Sequence, residues 1–103
     1  MTPKEIASTM KRLFGHETGG NDPWRHLMKD GELDQNACDR LLEEYIPDDE
    51  VVVFADRQHA LQCRRSEASK YIAEFMKLGD VRVANATFSS KVKISSIGVG
   101  QGF

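Results

Sequence analysis

Residues 51–63 read VVVFADRQHALQC, and this stretch decides the fold class. Its first four residues are β-branched or aromatic, which is the composition of a buried strand. Asp56, Arg57 and Gln58 are polar and fit a tight turn, and residues 60–63 follow as a returning strand. The stretch therefore predicts a β-hairpin, an antiparallel pair of strands in the middle of the chain.

Toward the C-terminus the pattern continues with one helix and two further strands. Ser66 is placed to cap a helix that stops at Gly79. The apolar residues that share one face of this helix are Ala68, Ile72, Phe75 and Met76. Two strands follow, of which the first carries Val81, Val83, Ala86 and Phe88, and the second alternates Val92 and Ile94 with lysines. These patterns predict a β-β-α-β-β unit.

Toward the N-terminus three helices are predicted. Thr2 and Glu5 have the spacing of a capping box at the start of the first. A second short helix is expected to open at Asp22-Pro23 and to close at Asp30-Gly31. Asp34 is placed to cap a third, which ends before Pro47 because proline disfavours helix in the residue ahead of it.

The whole pattern predicts a single α+β domain over residues 1–103. It consists of three N-terminal helices followed by the β-β-α-β-β unit, with a mostly antiparallel sheet and the helices on one face. A chain of this length buries enough surface for one modest core without metals or disulfides.

Composition narrows the class of protein further. The chain is 40% hydrophobic and 29% charged, which is typical of a globular domain. No apolar run approaches the roughly 20 residues that span a bilayer, and the first residues lack the apolar core of a secretory signal. We therefore expect a cytoplasmic protein without membrane contact, in which Cys38 and Cys63 are reduced thiols. Asn85-Ala86-Thr87 matches a glycosylation site, which in that compartment is a coincidence.

The charge changes sign halfway along the chain. Residues 1–50 contain 6 basic and 12 acidic residues, a net charge of −6, whereas residues 51–103 contain 8 basic and 4 acidic residues, a net of +4. The formal total of −2 hides this division. Such a division bears on partners rather than on fold.

The densest acidic cluster lies at the end of the third predicted helix. It consists of Glu43, Glu44, Asp48, Asp49 and Glu50. The cluster predicts a face that binds a basic protein partner, such as a toxin or a nuclease, and the class of module is then an inhibitor or immunity protein. A solvated turn that keeps the protein soluble is the structural alternative. Trp24 is expected in the core, and with Tyr45 it is also a candidate aromatic anchor for the partner.

Two other functions stay open at this stage. A small enzyme would have its site near Arg57, His59 and Cys63, with the histidine as base and the cysteine as nucleophile. A nucleic-acid-binding protein would use Arg57, Arg64, Arg65, Lys91 and Lys93. The isoelectric point of this chain, near 5.9, is lower than that of most nucleic-acid-binding proteins. No cofactor and no metal site is predicted, since two ligands do not make a zinc site. Pairing of two copies through their oppositely charged halves is a further possibility.

The last residues contain a Gly-x-Gly-x-Gly pattern, from Gly98 to Gly102. A dinucleotide loop would lie between a strand and a helix, and no helix follows here. The sequence leaves two interpretations open: a flexible tail, or glycines that lie flat on the sheet while Phe103 docks in a pocket.

Overall fold

The computed structural model describes residues 2–14, 24–56 and 58–102, and within them the backbone forms three helices and eight strands. The helices are α1 (Pro3–Phe14), α2 (Gln35–Tyr45) and α3 (Arg65–Phe75). The strands are β1 (Arg25–His26), β2 (Met28–Lys29), β3 (Glu32–Leu33), β4 (Glu50–Asp56), β5 (His59–Arg64), β6 (Val81–Asn85), β7 (Lys91–Ser95) and β8 (Val99–Gly102). The fold is α+β.

Six of the strands form one antiparallel sheet in the order β1-β8-β7-β6-β4-β5. The remaining two, β2 and β3, pair with each other as a small separate hairpin. Strand β4 lies inside the sheet and carries four consecutive buried residues, because both of its faces are covered.

Alternation along β4 sends its side chains into two cores. Val51 and Val53 pack with α2 and α3 in the larger core, together with Val81, Val83, Val92 and Ile94 of the neighbouring strands. Val52 and Phe54 point to the other face, where they meet Ile6 and Met10 of α1. The sheet is therefore covered by two helices on one face and by one on the other, so the prediction that all helices lie on one face is wrong.

Several predicted elements are confirmed. Helix α1 begins with the expected capping box, in which the Glu5 backbone N–H donates to Thr2 Oγ1 at 3.2 Å. Helix α2 is capped by Asp34, which accepts from two backbone amides. The hairpin β4–β5 and the order β4-β5-α3-β6-β7 are as predicted. The predicted bounds of α3 are wrong, because it begins at Arg65 without a Ser66 cap and ends at Phe75 rather than at Gly79, and β6 ends at Asn85.

The prediction of three N-terminal helices is wrong, because strands occupy the place of the second. Arg25 and His26 pair with Gly100 and Val99 of β8. Asp30 and Gly31 have φ angles of 55° and 81°, which bend the chain into the β2–β3 hairpin rather than closing a helix. Only one helix precedes the first strand in the described residues.

The C-terminal glycines form a strand. A Cβ built at Gly100 would lie 2.6 Å from Leu27 Cδ1 and 2.6 Å from Leu41 Cδ2, and one at Gly102 would overlap the Tyr45 ring. Helix α2 and the residues before it therefore lie directly on the backbone of β8, where side chains larger than hydrogen have no room. The interpretation of a flexible tail is wrong, and Phe103 lies outside the described residues.

Within the part of the chain that the structure describes, no helix is long and apolar enough to cross a membrane.

Candidate functional site

A cleft of about 690 Å³ lies next to the predicted acidic cluster. It opens where the end of α2, the loop from α2 to β4 and the start of α3 come together. Its lining residues are Asp39, Glu43, Asp49, Glu50, Arg64, Arg65 and Ser66. We call this feature the acidic cleft, because four of these seven side chains are carboxylates.

Helix α2 sets the position of two of the carboxylates. Its inner face is buried through Cys38, Leu41 and Leu42. Asp39 and Glu43 are four residues apart and therefore lie one turn apart along a neighbouring face of the helix. This face points into the cleft, so the burial of the inner face fixes the direction of the two carboxylates.

Arg65 fixes the loop that supplies the other two carboxylates. Its guanidinium Nη1 donates to the backbone oxygen of Ile46 at 2.7 Å and to that of Asp48 at 3.4 Å. Its backbone N–H donates to the backbone carbonyl oxygen of Asp49 at 2.7 Å. Arg65 therefore holds the start of α3 against the loop, and its charge is engaged with carbonyl groups inside the structure.

Two features leave the acidic cleft negative. Four carboxylates face two guanidinium groups, one of which is bound to carbonyls as above. Asp39 Oδ1 is buried, and no described residue donates a hydrogen bond to it. Because no donor among the described residues offsets the charge of this oxygen, it adds to the negative potential of the cleft.

Glu44, a member of the predicted acidic cluster, and Tyr45, a candidate aromatic anchor, are not among the lining residues of the cleft. Glu44 forms an ion pair with Arg25 of β1 at 2.5 Å, and this hydrogen bond raises the pKa of Arg25. The Arg25 guanidinium carbon also lies 5.5 Å from the centre of the Tyr45 ring. These contacts join α2 to the β1 edge of the sheet, while the Tyr45 ring covers Gly102.

Asp48 is tied to the turn between β6 and β7. Its Oδ2 accepts a hydrogen bond from Asn85 Nδ2 at 3.3 Å. Asn85 is only 2% exposed, and it also donates to Thr87 and Ser89 and accepts from the backbone amides of Ser89 and Ser90. Because this amide nitrogen is buried and hydrogen-bonded, the fold does not present it for glycosylation.

Trp24 is not a core residue, which corrects the expectation from its position. It is 46% exposed and directly precedes β1. The error has the same cause as the false second helix: without that helix, there is no amphipathic face to turn the indole inward. The structure does not place Trp24 among the residues of the acidic cleft.

His59 and Cys63 do not form a nucleophile and base pair. They are four residues apart on the extended strand β5, so their backbones are separated by about 13 Å. Burial, with smaller effects from Glu67 and Glu50, raises the pKa of the Cys63 thiol to about 11, opposite to the change that activates a nucleophile. His59 Nδ1 instead lies 2.8 Å from Asp56 Oδ1 in the hairpin turn. Arg57 lies outside the described residues.

The predicted basic residues do not merge into one stripe. Lys91 and Lys93 lie on β7, whereas Arg64 lies on β5, about 14 Å away across the sheet. Lys91 pairs with Ala84 of β6, and Ala84 pairs with Val52 of β4. Helix α1 packs on Ala84 and Val52, so it lies on the sheet between Lys91 and β5. Arg64 and Arg65 lie among carboxylates in the acidic cleft, so the two charge signs are only partly separated in space.

A second cleft, of about 430 Å³, lies between the β2–β3 hairpin and the end of α3. Met28, Leu33 and Met76 contribute its apolar part. Among the described residues no group of three or more His, Cys, Asp or Glu side chains could hold a metal ion.

Sequence reasoning found three of the four cleft carboxylates and missed Asp39. The available signal was its spacing of four residues from Glu43 on a predicted helix. The contribution of Arg64 and Arg65 was hidden, because they are distant in sequence and were assigned to a separate basic group.

Comparisons of the chain with family models, with curated proteins and with solved structures found no match.

Proposed function

We propose that this protein is a non-enzymatic protein-binding module whose acidic cleft receives a basic side chain or surface of a partner protein. The observation that carries the proposal is the charge of the acidic cleft, in which four carboxylates face two guanidinium groups and one of these is already bound to backbone carbonyls. An arginine or lysine of a partner would donate hydrogen bonds to the exposed carboxylates of the cleft and supply the opposite charge.

The class of partner follows from the charge of the cleft. Carboxylates that surround a binding site accelerate the approach of a basic surface and disfavour acidic competitors. Toxins and nucleases that act on nucleic acids present such basic surfaces. An inhibitor or immunity protein that covers a basic active site is therefore the kind of module that we propose.

The test compares two double variants with the same change in net charge. Glu43→Gln with Asp49→Asn neutralises two exposed carboxylates of the acidic cleft. Glu32→Gln with Glu74→Gln neutralises two exposed carboxylates at the second cleft. Each variant and the parent chain are immobilised, and binding from a lysate of the native host is followed by mass spectrometry and by association kinetics with the recovered protein.

We expect a basic protein to bind the parent and the control variant. We expect the cleft variant to associate about tenfold more slowly, with the difference fading as salt is added. Equal losses for both variants, or a partner that binds all three chains alike, would contradict the proposal.

A further inference from the structure

Strand β5 forms one edge of the six-stranded sheet. It spans His59–Arg64, about 20 Å of extended chain. The opposite edge, β1, has only two residues, and one of them is held in the ion pair with Glu44. The two edges are therefore protected to very different degrees.

Among the described residues, no backbone group pairs with the outer side of β5. In an antiparallel ladder the N–H and C=O groups of alternate residues point away from the paired strand. Within the described ranges, residues 60–63 make backbone hydrogen bonds only in the ladder with β4. Natural edges are usually blocked by charges, prolines or bulges, and residues 60–63 contain none of these. The irregularity of the ladder lies at the turn, between Phe54 and Asp56.

Both faces of β5 are covered, whereas no described residue pairs with its edge. Leu61 and Cys63 pack toward the core beneath α3, and Ala60 packs toward α1. The His59 ring lies 5.7 Å from the Phe75 ring of α3. Hydrophobic burial therefore holds β5 rigidly in place, and the strand presents a preformed template for one more strand.

The edge leads directly into the acidic cleft. Arg64, the last residue of β5, pairs in register with Glu50 of β4, and both residues line the cleft. A chain laid along β5 would thus reach the four carboxylates at its end. The edge and the cleft form one continuous surface with an extended part and an anionic part.

We infer that the partner binds by adding an extended strand to the edge of β5 and by placing an arginine or lysine from the end of that strand in the acidic cleft. The charge of the partner in this inference rests on the proposed function. Backbone hydrogen bonds along β5 supply affinity, and the cleft selects the basic residue.

A second copy of this chain fits the same edge less well. If two β5 strands paired antiparallel along their whole length, the His59 end of one copy would lie at the cleft of the other. The turn at that end contains Asp56 next to Arg57, so the second copy would bring no net positive charge toward the four carboxylates. A separate basic strand is the complementary occupant.

The test uses random peptides displayed on phage, each long enough to extend beyond both ends of β5, with the full chain as the target. The peptides that are enriched are synthesised and their affinities measured by fluorescence anisotropy. Three chains are compared with the parent: Leu61→Pro, Gln62→Pro and the Glu43→Gln/Asp49→Asn variant. Of the two adjacent backbone N–H groups at positions 61 and 62, one points away from β4. Proline at that position removes no hydrogen bond of the β4–β5 ladder, so that variant should still fold. Cooperative unfolding identifies which of the two proline variants is folded.

We expect enriched peptides to combine alternating β-branched or aromatic residues with a lysine or arginine near one end. The folded proline variant should bind them at least tenfold more weakly, and so should peptides that are N-methylated at alternate residues. The charge variant should lose affinity only for peptides that contain the basic residue.

The outcomes separate the two proposals. If the charge variant loses binding while the folded proline variant and the N-methylated peptides bind as before, strand addition is wrong and the acidic cleft alone is the site. If the proline variant loses binding and the charge variant does not, the edge is a docking site but its proposed basic occupant is wrong. A dimer of the parent chain that the proline variant abolishes, or a selection that enriches no peptide, also overturns the inference.

Discussion

Replacement of Gly100 by alanine tests a close contact between β8 and α2. The added Cβ would lie 2.6 Å from carbons of both Leu27 and Leu41, which are buried. Unbonded carbons rest about 3.5–4.0 Å apart, so each leucine must move by about 1 Å. Overpacking of this kind costs about 1–3 kcal/mol, and the lower flexibility of the unfolded alanine chain offsets about 0.4–1 kcal/mol of it.

We therefore expect Gly100→Ala to lower the free energy of unfolding by about 1–2 kcal/mol, measured by urea titration with circular dichroism. In a domain of this size the midpoint of thermal unfolding should fall by about 5–15 °C. The backbone at Gly100 is not in the left-handed region, so conformational strain does not contribute.

A double-mutant cycle with Leu41→Ala isolates the cause. The shorter side chain removes one of the two contacts, so Gly100→Ala should cost at least about 0.5 kcal/mol less in that background. If Gly100→Ala unfolds at the same urea concentration as the parent, or if the cycle shows no coupling, α2 does not lie on β8 and the assignment of this strand is wrong.

Three further predictions concern individual side chains. Asn85→Asp replaces a buried N–H donor with a carboxylate that faces oxygen atoms of Asp48, Thr87 and Ser89. It should lower the free energy of unfolding by about 2–4 kcal/mol in urea titrations. An unchanged urea midpoint of unfolding would contradict the hydrogen-bond network. The hydrogen bond from His59 lowers the pKa of Asp56 below its ordinary value of 3.8, so the stability that Asp56 contributes is present above pH 3.8 and is lost as the pH falls through the lowered pKa. Nuclear magnetic resonance titration should show the pKa of Asp56 rising in His59→Ala, and no change would refute the pairing. Burial raises the thiol pKa of Cys38 to about 12 and that of Cys63 to about 11. Both thiols should therefore react with a disulfide reagent at pH 7 more slowly than a free thiol, and Cys38 should be the slower of the two. A rapid reaction of either thiol would disprove its burial.

Elements with a strong internal pattern were predictable from the sequence. The β4–β5 hairpin, α3, β6 and β7 each carry a clear period of apolar residues, and α1 and α2 begin with capping residues. Local chemistry was sufficient for these elements, because the same residues that favour the element also bury its inner face.

The remaining elements depend on distant partners. β1 has two residues and exists through its pairing with β8, and β8 is rich in glycine, which weakens any strand pattern. Asp30-Gly31 fits the end of a helix, but the same dipeptide is also a strong hairpin signal when strands flank it. The pairing of β2 with β3 shows that Asp30-Gly31 forms a hairpin turn rather than the end of a helix.

The candidate site was predictable in composition and not in arrangement. The sequence placed Glu43, Asp49 and Glu50 in one window, and the fold brings them together. It could not show that Arg65 would cross over to bind the loop carbonyls, since 19 residues separate Arg65 from Ile46. It also could not show that Glu44 would turn away toward Arg25.

The pairing of β1 with β8 has a consequence for the kinetics of folding. It joins residue 25 to residue 100, so the chain must close a very long loop to gain two residue pairs. Loop closure of this kind is slow and is rewarded only when the strands between are already in place. We therefore expect β1 to dock last during refolding, and its amides to exchange with solvent through local opening while those of β4 exchange only when the whole domain unfolds.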